Sequence, residues 1–140
     1  MSPDLYSIYV DDLLKKLQSL QKGCYYLHLF AAAYFYADDI AIMAPSIKAL
    51  KALLKECSEF YVEWDICLNA KKTKTLYFGR KVDIGHEIFL DGIGRKRKVE
   101  IVDEWVYLGV TGTKFRDKIQ LLSQGENTKI LSLCQRNLQN

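Results

Sequence analysis

Phe35-Tyr36-Ala37-Asp38-Asp39-Ile40-Ala41-Ile42-Met43 sets two adjacent carboxylates inside a long apolar run. Between residues 27 and 44 no other side chain carries a formal charge. Placing carboxylates among Phe, Ala, Ile and Met is costly unless something pairs with them. A hard divalent cation is a natural partner, because it selects carboxylate oxygens. The run is long enough to suggest a membrane span. Two central aspartates, each costing roughly 2.5–3.5 kcal/mol in a bilayer, argue against one.

Working outward, residues 32–36 and 40–44 read as strands, with Ala37-Asp38-Asp39 at a tight bend between them. Residues 25–30 read as a further strand. Ser2-Pro3 is a helix start, followed by an apolar stripe at Tyr6, Val10, Leu13, Leu17 and Leu20 that Gly23 closes. Pro45-Ser46 starts a second helix, with Ile47, Leu50, Leu54, Cys57, Tyr61 and Trp64 at alternating steps of three and four. A lysine-dense turn, Asn69-Ala70-Lys71-Lys72-Thr73-Lys74, leads into a strand at 75–78. Short strands are expected at 87–90, 98–102 and 105–110, and helical spacing from 117 to 138. Helices with antiparallel hairpins make an α+β domain.

The 140 residues suffice for one domain with a core. Hydrophobic residues are 49% and charged residues 26%, which excludes a disordered chain. A net charge of +3 is compatible with a nucleic-acid partner without requiring one. Cys24, Cys57, Cys67 and Cys134 are scattered and form no CxxC, so a zinc site is not expected and buried thiols of an intracellular protein are. The opening Met1-Ser2-Pro3-Asp4 has neither the basic start nor the apolar stretch of a signal peptide. The expected location is therefore the cytoplasm or nucleus.

Asp-Asp occurs twice. Asp11-Asp12 lies inside the first helical stripe, where neighbours diverge by about 100° and form a solvated, charge-balanced face. Asp38-Asp39 sits at a strand–turn–strand bend, which leaves two readings open: an ordinary acidic turn, or a pair aimed into a cleft from a rigid sheet end.

Tyr36-Ala37-Asp38-Asp39 between apolar strands resembles motif C of reverse transcriptases, and in particular the non-LTR (LINE-type) retrotransposon branch. Ser2-Pro3 through Leu13 resembles the end of motif B and its helix. Ala44-Pro45-Ser46 and the helix to Trp64-Asp65-Ile66 resemble the link from motif C to motif D. Asn69-Ala70-Lys71-Lys72-Thr73 matches the Asn-x-x-Lys-Thr of motif D, and Tyr107-Leu108-Gly109 the primer-grip region. The series keeps the family's order over residues 2–112.

The resemblance implies a polymerase palm-like antiparallel sheet packed on helices over residues 1–112, and a thumb-like helical tail over 113–140. It implies RNA-directed DNA polymerase chemistry with Mg2+, or Mn2+ as substitute. Asp38 becomes the main metal ligand, Asp39 a lesser one, and Lys72 a charge stabiliser or proton donor at pyrophosphate. Tyr36, Tyr107, Leu108 and Gly109 become primer contacts. RNA template, DNA primer and dNTP are the implied partners. The basic clusters Lys71-Lys72-Lys74, Arg80-Lys81 and Arg95-Lys96-Arg97-Lys98 could follow a phosphate backbone.

The family also carries a third catalytic carboxylate in motif A, upstream of motif B, together with the fingers. No such segment occurs in these 140 residues, so the chain alone is expected not to polymerise. The alternatives are an inactive relic that keeps nucleic-acid affinity and a folded interaction module. Without the missing strand, residues 32–36 and 40–44 are expected to expose an unpaired sheet edge prone to self-association.

Overall fold

The structure, a computed structural model, describes residues 3–36, 39–78, 87–92, 95–107, 110–113 and 129–137. Two helices cover one side of a mixed sheet. In chain order the elements are α1 (Pro3–Ser19), β1 (Tyr25–Tyr26), β2 (Leu29–Phe30), β3 (Ala33–Tyr36), β4 (Asp39–Ala44), α2 (Ile47–Glu63), β5 (Cys67–Leu68) and β6 (Lys74–Phe78). There follow β7 (Phe89–Gly92), β8 (Arg95–Lys98), β9 (Glu100–Val102), β10 (Glu104–Tyr107), β11 (Val110–Thr113) and β12 (Lys129–Asn137).

The capping signal before α2 acts as its chemistry predicts. Ser46 has extended backbone angles, and its Oγ accepts the Ala49 N–H at 3.2 Å. The apolar stripe then buries Leu50, Leu53, Leu54, Cys57, Phe60 and Tyr61. Helix α1 adds Leu13 and Leu17, both fully buried. The two helices also meet at the surface. Tyr9 and Trp64 stack edge to face at 4.5 Å, and Lys16 Nζ lies 3.6 Å from a Glu63 carboxylate oxygen.

The central sheet runs β3-β4-β12-β6-β9, with β5 also paired to β12. All its ladders are antiparallel except β6–β9, which is parallel. Ile40, Ile42 and Ala44 on β4 and Tyr77 on β6 join the helices in one core, with Phe35 of β3 packed against it. Alternation along β3 is clear: Tyr34 and Tyr36 are exposed while Ala33 and Phe35 are half-buried.

Several expectations need correction. Residues 129–137 are a strand, although their spacing suggested a helical tail. The nine-residue segment slots between β4 and β6, so ladders on both sides override a helical pattern too short to decide by itself. The strand covers the edge of β4 that had been expected to stand open, and leaves β3 as the edge on that side among the described residues. The single strand expected at 25–30 is a two-stranded hairpin, turned at Leu27 (φ 46°) and His28 (φ 69°). No glycine signals that turn in the sequence. The strand expected at 98–102 breaks at buried Val99 into β8 and β9, and that expected at 105–110 is β10 with the start of β11.

Gly23 earns its place by close approach rather than by ending α1. A Cβ there would lie 2.2 Å from Ala32 Cβ. Helix α1 has already ended at Ser19, and Gln21 takes the left-handed conformation (φ 52°).

Candidate functional site

The β3–β4 ladder closes on the pair Tyr36–Asp39, leaving only residues 37 and 38 as the connection. The expected bend is thus a tight hairpin, with Asp39 already the first residue of β4. Ala37 and Asp38 lie outside the described residues. Asp39 is held from both sides, by Tyr36 in β3 and by the register position of Gln135 in β12. An interior strand with two ladders fixes its backbone far better than a free loop would.

Cross-strand partners share a face of the sheet. Tyr36 and Asp39 therefore point away from the helices, on the side opposite Phe35 and Ile40. Tyr36 is 62% exposed and Tyr34 is 50% exposed, so this corner is open. Farther along the same face Ala41 and Leu76 are buried. The Asp39 side chain is half-buried, and no ion pair or side-chain hydrogen bond engages it among the described residues. A half-buried carboxylate with no partner among the described residues fits a cation ligand better than a structural salt bridge.

The lysine turn lies at the same level. Strand β12 pairs with β6 up to Leu133–Lys74 and with β5 from Arg136–Leu68 onward. Residues 69–73 therefore bulge from that edge beside positions 134 and 135 of β12. Position 135 is also the register partner of Asp39. Two strand spacings, about 10 Å, separate the bulge from Asp39.

Asn69 builds this bulge. Its Oδ1 accepts the N–H groups of Lys71 (3.1 Å) and Lys72 (3.3 Å). Its carbonyl accepts the Thr73 N–H at 2.9 Å and the Thr73 hydroxyl at 2.8 Å. Such an Asx turn explains why an asparagine precedes the lysines. Thr73 is fully buried and pins the far end, while Lys71 and Lys72 are exposed. The next lysine is not available in the same way, because Lys74 Nζ pairs with the Glu100 carboxylate across the β6–β9 ladder.

The remaining expected residues divide. Tyr107 ends β10 and pairs with Val110, while Leu108 and Gly109 lie outside the described residues. This hairpin packs against β6. Arg80-Lys81 also lies outside the described residues. The first acidic pair behaves as expected. Asp11 and Asp12 are exposed, and Lys15 Nζ lies 2.6 Å from Asp11 and 3.7 Å from Asp12. The hydrogen bond from Lys15 to Asp11, and then their Coulombic attraction, raise the ammonium pKa above its usual value.

Sequence reasoning missed the structural duties of Asn69 and Thr73, and the position 135 that links Asp39 to the lysine bulge. The first had a readable signal in the Asx-turn chemistry. The second depends on which strand pairs with β4, which no local pattern specifies. Among the described residues, no three His, Cys, Asp or Glu side chains gather into a metal-binding group. Also among them, no helix is long and apolar enough to cross a membrane.

A sequence model of one protein family, described as reverse transcriptase (RNA-dependent DNA polymerase), matches residues 1–112. No curated protein and no solved structure matches the chain.

Proposed function

The chain belongs to the reverse transcriptase (RNA-dependent DNA polymerase) family, and from that premise we propose that it is a palm segment of a non-LTR (LINE-type) retrotransposon enzyme. The reading covers the end of motif B through the primer-grip segment over residues 1–112. The observation that carries it is the half-buried Asp39 carboxylate, unengaged among the described residues, beside exposed Tyr36 and level with the Lys71–Lys72 bulge.

Asp38 and Asp39 would hold Mg2+, with Mn2+ as a substitute; their adjacent oxygen donors suit a hard cation. Bound there, the metal would supply activation of a primer 3′-hydroxyl and charge stabilisation of the leaving pyrophosphate. The chain's own part is positional and electrostatic. Ladders on both sides of β4 hold Asp39 in place, so its oxygen needs little reorganisation at the moment of reaction. Tyr36 offers an exposed ring to the primer end. Lys72 offers a solvated ammonium toward the pyrophosphate, on a turn fixed by Asn69. Tyr107, Leu108 and Gly109 would contact the primer backbone, with RNA as template, in an intracellular setting.

A second reading is favoured by one observation. None of the motifs matched in these residues is the family's motif A, which carries its third carboxylate. These 140 residues would then bind divalent ions and nucleic acid without extending a primer.

Primer extension on an RNA template by the purified chain, with Mg2+ or Mn2+, separates the two. We expect ion binding and no extension. Template-dependent extension abolished by Asp38→Ala would remove the second reading. Failure to bind either ion would remove the metal role of the acidic pair.

A further inference from the structure

We infer that the outer side of β3 is a pairing edge for a second copy of this chain, joined antiparallel about a two-fold axis at Tyr34. The inference draws on the sheet alone and does not depend on the polymerase reading.

Strand β3 pairs with β4 on one side, and no strand lies on its other side among the described residues. The free side is readable residue by residue. Met43 donates its N–H to the Ala32 carbonyl at 2.7 Å, so the Ala32 backbone is turned toward β4. Alternation turns Tyr34 and Tyr36 the same way and leaves the N–H and C=O groups of Ala33 and Phe35 on the outer side. Natural edges are commonly blunted by a lysine, an inward charge or a proline. Residues 23–36 contain no Asp, Glu, Lys, Arg or Pro. None of these deterrents is built into this edge.

The side chains agree with the backbone. Tyr34 and Tyr36 are exposed on β3, and the β1–β2 hairpin just before it exposes Tyr25, Tyr26, Leu27 and Leu29. With about 150–250 Å2 for a whole aromatic side chain, this patch leaves roughly 600 Å2 open. A standard interface takes about 800 Å2 from each partner, so the patch supplies most of what a stable dimer needs.

The outward groups set the register. Ala33 of one copy exchanges hydrogen bonds with the partner's Phe35, and Phe35 with the partner's Ala33. Tyr34 then meets the partner's Tyr34 at the intervening position, where Cα atoms lie about 4.5 Å apart. Both rings stand on the face turned away from the helices and pack across the axis. Such a contact uses the same patch twice and closes at two copies. Other occupants fit less well. In hydrocarbon the outward N–H and C=O groups would stay unpaired, which rules against lipid. The absence of any cation on residues 23–36 rules against a nucleic-acid backbone.

The test is the mass of the whole chain by sedimentation equilibrium, with vesicle flotation beside it. A dimer is expected. Tyr34→Lys sets two ammonium groups opposite each other and removes the ring pair, and is expected to weaken the dimer at least about tenfold. Circular dichroism checks that this variant folds; if it does not, a cross-link decides. Tyr34→Cys is expected to give a covalent dimer under mild oxidation, its position-34 thiols joined in the peptide map. Val106→Cys, at an exposed position of β10, is expected to give none. A wild-type chain that sediments only as a monomer overturns the inference. So does a dimer that folded Tyr34→Lys leaves intact, or one whose Tyr34→Cys form does not cross-link. A monomer that floats with phosphatidylserine vesicles also overturns it, in favour of a lipid surface.

Discussion

Tyr36 and Asp39 face each other as the last register pair of the β3–β4 hairpin, the tyrosine well exposed and the aspartate half-buried. The two side chains thus share the sheet face turned away from the helices. A ring that can stack and a carboxylate with no partner among the described residues occupy one corner, and the pairing fixes their relative position.

The first prediction concerns that carboxylate. The double variant Asp38→Asn/Asp39→Asn keeps side-chain size and removes both charges. Mn2+ affinity, read by electron paramagnetic resonance, should fall at least about tenfold. The Asp11→Asn/Asp12→Asn variant should leave it unchanged, because those residues are engaged by Lys15 on an exposed helix face.

The lysine bulge depends on one side chain. Asn69→Ala removes the acceptor that serves the N–H groups of Lys71 and Lys72. Stability should drop by about 1 kcal/mol in urea melts. Asn69→Asp, which keeps the acceptor oxygen, should retain most of it.

Tyr77 has a buried hydroxyl with no hydrogen-bond partner among the described residues, and burial raises its pKa above 10.0. Below pH 10 the phenol is protonated whether the chain is folded or not, so it adds no slope. Above that, the unfolded chain releases the proton while the folded chain retains it, and stability falls as pH rises. Tyr77→Phe should remove this alkaline loss. At neutral pH it should be neutral or slightly stabilising, because an unsatisfied polar group is deleted. Urea melts at pH 7 and at pH 10.5 check both statements.

The placement of β12 can be tested by cross-linking. Asp39 and Gln135 are direct register partners, and antiparallel partners have Cα atoms about 4.5–5.5 Å apart. The variant Asp39→Cys/Gln135→Cys should form a disulfide under mild oxidation, assigned by peptide mass mapping. A helical tail would leave both thiols free.

What the letters could tell was uneven. Helix α2 was legible because capping, periodicity and length all agree from Ser46 to Trp64. The Asp38-Asp39 hairpin was legible because two apolar strands flank two charges. The β1–β2 turn was not, since Leu27 and His28 adopt left-handed angles that glycine or asparagine would have advertised. The strand at 129–137 was hidden for another reason. Ile130, Leu131, Leu133 and Cys134 satisfy a short helical spacing as readily as a buried strand, and the vacant slot between β4 and β6 made the choice.

Strand β12 is the last of the sheet to leave the ribosome, yet it lies in the interior of that sheet. Before it emerges, β3–β4 and β6–β9 share no ladder with each other among the described residues, and only the packing of α2 relates them. The sheet is therefore continuous only once residues 129–137 have been made, and before then the facing edges of β4 and β6 are open to pairing with another strand.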